Sequence, residues 1–291
     1  MTQFGMIALV GRPNAGKSTL LNHLMKQKLS IVSDKPQTTR NRILGILTTG
    51  ETQMVLVDLP GFHRPMYEMN KVMMQQVYEG IDACDVILYM VDATEDVGSG
   101  ENYLMEQLSS RASSVVVALN KIDALKKSRV LPLIEMFSGK GFADVVPISA
   151  LTGDNVDYLM AILKDRIPEG PFQYDEDTYT NISERFMVSE VIREKLLHET
   201  RQEVPYTSCV EIRKFEVLDD HVAILCDLIV DKESQKPIVI GNAGTRIRKI
   251  RVSAEKELRD YFEMPVSLEL FVRVERNWRQ KRKFLDQLDS F

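Results

Sequence analysis

Short apolar segments alternate with amphipathic stretches along the first half of the chain. Five of these segments have the length of strands: Met6 to Val10, Gln53 to Val57, Val86 to Val91, Val115 to Leu119 and Val145 to Ile148. The stretches between them repeat their apolar residues at helical spacing. This alternation predicts an α/β fold with a mainly parallel sheet and helices on both faces.

The pattern changes after residue 166. Residues 168–182 contain Pro168, Gly170 and Pro171 followed by an acidic run, which breaks both periodicities and predicts a linker. The elements predicted beyond it are a helix (Ser189 to Glu203), two strands (Ser208 to Val217 and Val222 to Val230), a helix (Thr245 to Phe262) and a strand (Val266 to Val274). We therefore expect an α/β domain at residues 1–167 and an α+β domain at residues 183–291.

The composition is sufficient for two domains and limits the kinds of ligand and partner that the chain can bind. The 291 residues are 44% hydrophobic with a net charge of −5, so nucleic-acid binding would need a local basic patch. Three separated cysteines, Cys84, Cys209 and Cys226, indicate reduced buried thiols rather than a metal site. No apolar run approaches the roughly 18 residues of a membrane-spanning helix, and no signal or transit segment precedes the first strand. We expect a cytoplasmic protein.

Residues Gly11 to Ser18 read Gly-Arg-Pro-Asn-Ala-Gly-Lys-Ser and match the phosphate-loop pattern GxxxxGK[ST]. They follow an apolar strand and open a helix predicted from about Gly16 to Met25. Backbone N–H groups and the helix N-terminus would hold phosphates. Lys17 would reach the β and γ phosphates, and Ser18 would bind Mg²⁺. A chance glycine-rich turn is the alternative for this motif alone.

Three further motifs at strand ends argue against chance. Asp58-Leu-Pro-Gly61 would hold Mg²⁺ through water and sense the γ-phosphate. In the motif Asn120-Lys-Ile-Asp123, the Asp123 carboxylate can accept hydrogen bonds from guanine N1–H and the 2-amino group. This favours GTP over ATP. Ser149-Ala150 would offer a backbone N–H to guanine O6. The predicted nucleotide-binding residues are Gly11, Arg12, Pro13, Asn14, Ala15, Gly16, Lys17, Ser18, Thr19, Asp58, Gly61, Asn120, Lys121, Asp123, Ser149 and Ala150.

Two loops on either side of Asp58 are interpreted as switches. Leu29 to Arg42 is predicted to be switch I, with Thr39 preferred to Thr38 as the hydroxyl that reaches Mg²⁺, and a solvated loop as the alternative. The predicted Mg²⁺ site is thus Ser18, Thr39 and Asp58, the last through water. Residues 62–75 would be switch II. Its methionines favour core packing over a partner groove, and they are Met66, Met69, Met73 and Met74.

Phe62 stands where Ras-like enzymes carry the glutamine that orients the attacking water. A phenylalanine cannot hydrogen-bond water, so unaided hydrolysis is expected to be slow, on the order of 10⁻³ s⁻¹. His63 follows, but a lone histidine beside a loop is more often solvated and is not assigned as a base. Lys17, Thr39 and Gly61 are the residues expected to act in hydrolysis.

Phe62, the loop with Asn14 and the Thr-Thr-Arg run at residues 38–40 together resemble the Era branch of GTPases. The second half resembles that family's KH domain at Ser183-Glu-Arg-Phe, Ile192-Arg-Glu-Lys, Glu203-Val-Pro-Tyr206 and Val272 to Trp278. The resemblance covers nearly the whole chain and implies a P-loop GTPase domain followed by an α+β type II KH domain. Through Asn14, it also implies that K⁺, besides Mg²⁺, stimulates hydrolysis. It further implies a monomer that binds GTP and GDP, contacts small-subunit ribosomal RNA near its 3′ end and assists maturation of that subunit, with nucleotide state changing how its two domains present their surfaces.

Gly241-Asn-Ala-Gly244 lies between the apolar run Pro237 to Ile240 and the helix from Thr245, where a KH domain carries its GxxG loop. An ordinary helix-start turn is the alternative. Residues 236–251 hold five basic residues and no acidic one, which favours RNA contact. Uncharged Asn242 and Ala243 depart from the lysine usual in the family. The predicted RNA-binding residues are Lys236, Gly241, Asn242, Ala243, Gly244, Arg246, Arg248, Lys249 and Arg251.

The basic tail from Arg273 to Lys283 contains Trp278 and fits either RNA or anionic lipid. Peripheral contact with the inner face of the cell membrane therefore stays open. A regulatory GTPase whose second domain binds protein or a membrane surface is the alternative function.

Overall fold

The structure is a computed structural model that describes residues 1–63 and 65–288. Contacts divide the chain into two units. The first comprises Met1–Val32, Thr39–Pro65 and Val72–Asn181, and the second comprises Ser33–Thr38, Met66–Lys71 and Ile182–Phe291. The two short segments of the second unit come from the predicted switch loops. The expected domain bounds stay a prediction, and residues 289–291 and Arg64 of the predicted switch II lie outside the described residues.

The first unit contains a six-stranded sheet with the order β2-β3-β1-β4-β5-β6. Its strands are β1 (Gln3–Val10), β2 (Ile43–Thr49), β3 (Thr52–Asp58), β4 (Val86–Asp92), β5 (Val115–Asn120) and β6 (Asp144–Pro147). β2 runs antiparallel to β3, and the other neighbouring pairs are parallel. The expected mainly parallel sheet is confirmed. The strand β2 was not expected, because it directly follows the polar loop interpreted as switch I.

In the described part of this unit, four helices connect the strands and a fifth follows β6. They are α1 (Lys17–Met25), α2 (Glu68–Asp82), α3 (Ser99–Ser109), α4 (Val130–Gly139) and α5 (Val156–Arg166). The central strands are apolar on both faces, and every residue of β5 is buried. Strands buried on both faces are typical of parallel sheets covered by helices. Because parallel strands point the same way, the loops that follow β1, β3, β5 and β6 meet at one edge of the sheet.

Residues 168–181, called here the edge segment, lie along the first unit. Glu169 forms an isolated antiparallel bridge with Gln3, and Thr180 forms one with Gly45. The Gln53 amide donates to the Tyr174 carbonyl at 2.9 Å. The segment that the sequence predicts to be a linker is therefore hydrogen-bonded to the strands of the first unit.

The second unit contains a three-stranded sheet with the order β7-β8-β9. Its elements are α6 (Glu184–Glu199), β7 (Ser208–Val217), β8 (Val222–Val230), α7 (Lys236–Ile240), α8 (Thr245–Phe262), β9 (Val266–Val274) and α9 (Arg282–Leu285). β8 pairs antiparallel with β7 and parallel with β9. Alternate residues of the strands pack against α6 and α8 to form the core.

The predicted helix Ser189 to Glu203 is displaced by several residues from α6. Ser183 is its N-cap and accepts a hydrogen bond from the Phe186 N–H at 3.1 Å, a signal that the helical periodicity alone does not contain. At the other end, α6 stops at Glu199, four residues before the predicted end at Glu203, and a short 3₁₀ turn, Val204–Tyr206, follows.

The three cysteines are buried and free, as expected. Among the residues that the structure describes, no helix has both the length and the apolar character required to cross a bilayer.

Candidate nucleotide site and candidate RNA surface

The phosphate loop joins β1 to α1 and folds over the Lys17 ammonium. Lys17 Nζ donates to the carbonyls of Gly11 and Arg12, both at 3.2 Å. Gly16 has a φ of 96°, and a Cβ there would lie 2.1 Å from Asn120 Nδ2, so only glycine fits. Burial lowers the pKa of Lys17, opposed by the charges of Asp58 and Glu101. The loop thus holds a buried cation at the helix N-terminus, where anions bind.

The predicted Mg²⁺ ligands converge beside this lysine. Ser18 Oγ donates to Asp58 Oδ2 at 2.7 Å and lies 2.9 Å from Thr39 Oγ1. Burial raises the pKa of Asp58, although Lys17 and the neighbouring hydroxyl groups oppose the shift. Asp58 Oδ1 is buried and has no hydrogen-bond partner among the described residues. Hydroxyl and carboxylate oxygens are the hard ligands that Mg²⁺ prefers, so these residues fit the ion.

The two switch I threonines differ in their contacts. Thr38 Oγ1 donates to the Lys35 carbonyl at 2.6 Å, whereas the Thr39 hydroxyl faces Ser18. This geometry favours Thr39. Ser30, which the sequence did not single out, is buried and donates from Oγ to Asp58 Oδ2 at 3.0 Å. Asn22 of α1 holds it in place, accepting from the Ser30 N–H at 3.0 Å.

Asn120 connects the two halves of the nucleotide site. Its Nδ2 donates to the Ala15 carbonyl at 2.8 Å, and its Oδ1 accepts from the Ala150 N–H at 2.9 Å. The phosphate loop and the loop after β6 are therefore tied together by one buried amide. Because the Ala150 N–H already donates to Asn120, and the Ser149 N–H donates to Asp154 at 3.0 Å, the predicted contact with guanine O6 requires one of these bonds to be shared.

Asp123 lies exposed after β5, with one oxygen held by the protein. Ser149 Oγ donates to Asp123 Oδ1 at 2.6 Å, which orients the carboxylate. Since Asp123 is exposed here, its desolvation would come only when a base covers it.

Lys121 has a φ of 70°, and its Nζ contacts Asp92 Oδ2 at 2.5 Å. Burial acts to raise the pKa of Asp92, but the bonds from Lys121 and Thr94 outweigh it and lower the pKa. Asp92 was missed by sequence reasoning, although its place at the carboxyl end of β4 was a usable signal.

The Phe62 side chain packs away from the phosphate loop, whereas its backbone is hydrogen-bonded to that loop. Its N–H donates to the Gly11 carbonyl at 3.0 Å. Its ring is 7% exposed and lies 5.8 Å from the Tyr78 ring and 5.7 Å from the Tyr103 ring. Phe62 therefore has a packing role in α2 and α3, consistent with its inability to orient water.

The remaining predicted residues lie in the same region. Gly61 approaches Pro13 so closely that a Cβ would meet Pro13 N at 2.8 Å. Asn14 has a left-handed φ of 66°, and Thr19 lies in the first turn of α1. His63 Nδ1 lies 2.7 Å from the Gly61 carbonyl oxygen, so this ring nitrogen is engaged in a local hydrogen bond.

The predicted RNA loop, Gly241 to Gly244, joins α7 to α8 and borders an open groove of about 900 Å³. Asn242, Arg246 and Lys249 line this groove, together with His198 and Arg201 near the end of α6. Ala243 has a φ of 47°, which is unusual for a residue with a Cβ. Sequence reasoning missed His198 and Arg201, because they precede the loop by some 40 residues.

The five basic residues between Lys236 and Arg251 are not equivalent. Arg248 and Lys249 are exposed, whereas the Arg246 guanidinium donates to the Ile238 carbonyl. Arg251 pairs with Glu255 at 2.9 Å. Lys236 lines a second groove with Phe271 and Arg273. Arg248 and Lys249 are thus the members best placed to meet a phosphate backbone.

The basic tail was predicted to contact RNA or anionic lipid because it combines charge with Trp278, but this aromatic side chain is buried. Its side chain is 0% exposed, and its indole N–H donates to the Thr207 carbonyl at 2.9 Å. Arg273 of β9 pairs with Glu211 of β7 and Asp227 of β8. Burial removes the indole ring from water, and its N–H has a hydrogen-bond acceptor. The tail from Arg273 to Lys283 therefore lacks the exposed aromatic side chain that a lipid interface would use.

Known proteins match both halves of the chain. A family profile described as "50S ribosome-binding GTPase" matches residues 6–121, and one described as "KH domain" matches residues 203–279. The GTPase Era of Clostridium beijerinckii is 40% identical over 292 residues, which cover 99% of this chain and 97% of that protein. The chain belongs to the Era family of GTPases.

Other Era proteins agree with this assignment. The GTPase Era of Staphylococcus epidermidis is 39% identical over 286 residues, covering 98% of this chain and 96% of that protein. A crystal structure of Era with MgGDPNP and nucleotides 1506–1542 of 16S ribosomal RNA has a TM-score of 0.95 and 36% identity, and covers 100% of this chain and 99% of that one. An Aquifex aeolicus Era variant bound to GDP and AlF₄⁻ has a TM-score of 0.94 and 36% identity, covering 99% of both chains. As an Era-family member, this chain is a GTP hydrolase with a P-loop GTPase domain followed by a KH domain, as expected from the sequence.

Proposed function

We propose that this chain hydrolyses GTP at the phosphate loop and binds the 3′ region of small-subunit ribosomal RNA through residues 236–251, in the cytoplasm and during maturation of that subunit. The observation that carries the proposal is the convergence of Lys17, Asp58 and Asn120 at one sheet edge in a chain that also carries a basic groove beside Gly241 to Gly244. A nucleotide site and an RNA surface on one chain make an RNA-binding switch the simplest function.

The chain's own residues account for the phosphate chemistry. Lys17 would turn from the loop carbonyls to the β and γ phosphates, and Ser18, Thr39 and, through water, Asp58 would hold Mg²⁺. Bound Mg²⁺ would neutralise charge that develops on the phosphate oxygens. Gly61, next to Pro13 of the loop, would offer its N–H to the γ-phosphate.

Phe62 occupies the position at which Ras-like enzymes have a catalytic glutamine, and its ring is packed against two tyrosines. We therefore propose that K⁺, held in part by the amide oxygen of Asn14, supplies the missing stabilisation. GTP turnover should be faster in potassium than in sodium chloride, and Asn14→Ala should remove the difference while GDP still binds. Equal rates of the unsubstituted protein in the two salts would contradict this part of the proposal.

RNA binding can be tested with the full chain, a GTP analogue and an oligonucleotide from the 3′ end of 16S ribosomal RNA. Each phosphate contact on a single strand contributes about −0.7 to the slope of log K against log salt. Replacing Lys249 or Arg248 by alanine should weaken binding. Each substitution should also make the slope less steep by about 0.7, the contribution of one phosphate contact. Lys256→Ala removes an exposed charge from the same helix, outside the groove, and serves as the control.

A scrambled oligonucleotide distinguishes specific from general binding. No binding to either RNA at low salt would overturn the RNA part of the proposal and leave a regulatory GTPase whose second domain contacts protein. The buried Trp278 gives no support to a membrane partner.

A further inference from the structure

Glu101, in the first turn of α3, is a buried carboxylate that the nucleotide motifs and the switches leave unexplained. It is only 4% exposed. Its Oε1 accepts a hydrogen bond from the hydroxyl of Tyr89, which is itself fully buried in β4. Its Oε2 lies 3.6 Å from Nη1 of Arg12, a residue of the phosphate loop. Both oxygens therefore have partners from other elements.

The outer part of the Arg12 side chain also lies close to the start of α3. A Cβ added at Gly100 would lie 3.2 Å from Arg12 Nε, so the guanidinium stem rests on the start of α3. Burial raises the pKa of Glu101, while Tyr89 and Arg12 oppose this shift. A buried carboxylate is costly unless it is paired and hydrogen-bonded, and Glu101 has both kinds of contact.

Arg12 links this cluster to the phosphate site. Its carbonyl accepts from Lys17 Nζ at 3.2 Å, and the adjoining Gly11 carbonyl accepts from the Phe62 N–H at 3.0 Å. Holding the Arg12 side chain therefore limits the movement of the carbonyls that surround the phosphate-binding lysine. A loop that is already in its bound shape loses less conformational entropy when it binds.

We propose that Glu101 is a positioning residue for nucleotide binding, which holds Arg12 so that the phosphate loop keeps its binding shape, with Tyr89 orienting the carboxylate. The inference rests on the GTP binding described above. A second physical effect has the opposite sign, because a carboxylate near phosphates repels them. Arg12 neutralises that charge, so we expect loop positioning to outweigh repulsion and the loss of Glu101 to weaken nucleotide binding.

The test measures dissociation constants of fluorescent GDP and of a non-hydrolysable GTP analogue with Mg²⁺ for the full chain. Glu101→Ala and Arg12→Ala should each weaken both nucleotides by a similar factor, about fivefold, the upper range for an ion pair with one exposed partner. The double variant should bind no more weakly than either single variant, since both remove the same contact. The turnover number of Glu101→Ala at saturating GTP should stay within about twofold, because a uniform loss of binding leaves it unchanged.

Two further variants separate positioning from folding. Glu101→Gln keeps the size and an acceptor, and should recover most of the affinity that Glu101→Ala loses. Tyr89→Phe keeps the ring, and should weaken GDP binding by about threefold in the unsubstituted chain and not at all beside Glu101→Ala. Glu106→Gln, which removes an exposed carboxylate of the same helix, should bind GDP like the unsubstituted protein.

Several outcomes would overturn the inference: tighter or unchanged GDP binding by Glu101→Ala, or losses that add in the double variant. Melting curves of each variant show whether a weaker affinity reflects unfolding. If the unsubstituted protein bound no guanine nucleotide, the proposed function itself would fail. If it bound normally and the variants did too, only the positioning role would be lost.

Discussion

Replacing Asp123 by asparagine should change the base that this protein selects. Ser149 Oγ donates to Asp123 Oδ1 at 2.6 Å, so the hydroxyl can hold the same side of an asparagine through its amide oxygen. The amide NH₂ would then point where the free carboxylate oxygen points now. A donor in that place opposes the 2-amino group of guanine but suits the 2-oxo group of xanthine, while the amide oxygen can still accept from N1–H of either base.

The size of the change follows from the bonds that are lost. A hydrogen bond to a charged group contributes about 1.5–3 kcal/mol. Asp123 is exposed before the base arrives, so the lower value applies to each of its two guanine contacts. Losing the contact with the 2-amino group, and replacing the charged contact with N1–H by a neutral one, costs about 2 kcal/mol, which weakens GDP binding about 30-fold.

Competition between labelled GDP and unlabelled GDP or XDP, measured at constant Mg²⁺, gives the ratio of the two affinities directly. We expect Asp123→Asn to prefer XDP. Ser149→Ala in the same background should reduce that preference, because the amide is then free to turn. If Asp123→Asn kept the GDP-to-XDP ratio of the unsubstituted protein, the assignment of Asp123 to base recognition would be refuted.

Three other substitutions test separate parts of the structure. Gly16→Ala should abolish measurable GDP binding in equilibrium dialysis without changing the far-UV circular dichroism, since its Cβ would lie 2.1 Å from Asn120 Nδ2. Trp278→Phe should lower the free energy of unfolding in urea by about 2 kcal/mol, because it leaves the buried Thr207 carbonyl without its donor, and GDP affinity should not change. Burial raises the pKa of Cys84 to about 12, so above about pH 9 its thiol ionises only in the unfolded chain and stability falls as pH rises. Chemical denaturation at pH 8 and 10 should show a loss of about 1 kcal/mol that Cys84→Ala lacks, and parallel pH profiles would disprove this account.

The convergence of the candidate nucleotide-site residues could be predicted because each motif is a contiguous run of residues after an apolar strand. In a parallel sheet such runs meet at one edge, so Lys17, Asp58 and Asp123 could be placed together without coordinates. The strands of the second unit have the bounds that were expected, because long alternating segments specify both their length and their buried face.

Pairs from distant parts of the chain could not be predicted in this way. Glu101 reaches Arg12 across 89 residues, and Asp92 reaches Lys121 across 29, so no local spacing identifies either pair. The burial of Trp278 could not be predicted for a related reason. A basic segment with one aromatic looks the same in sequence whether the ring faces solvent or lies over the Thr207 carbonyl.

The edge segment has a consequence for how the GTPase half behaves when it is cut from the rest. β2 is the outermost strand of its sheet, and its free side is occupied by Tyr179, whose carbonyl accepts from the Ile46 N–H at 2.9 Å, and by Asn181, whose Oδ1 accepts from the Leu44 N–H at 3.2 Å. A fragment ending at residue 167 would expose these unpaired N–H groups on an edge strand, and we expect it to aggregate. A fragment ending at residue 181 would keep the edge of the sheet covered.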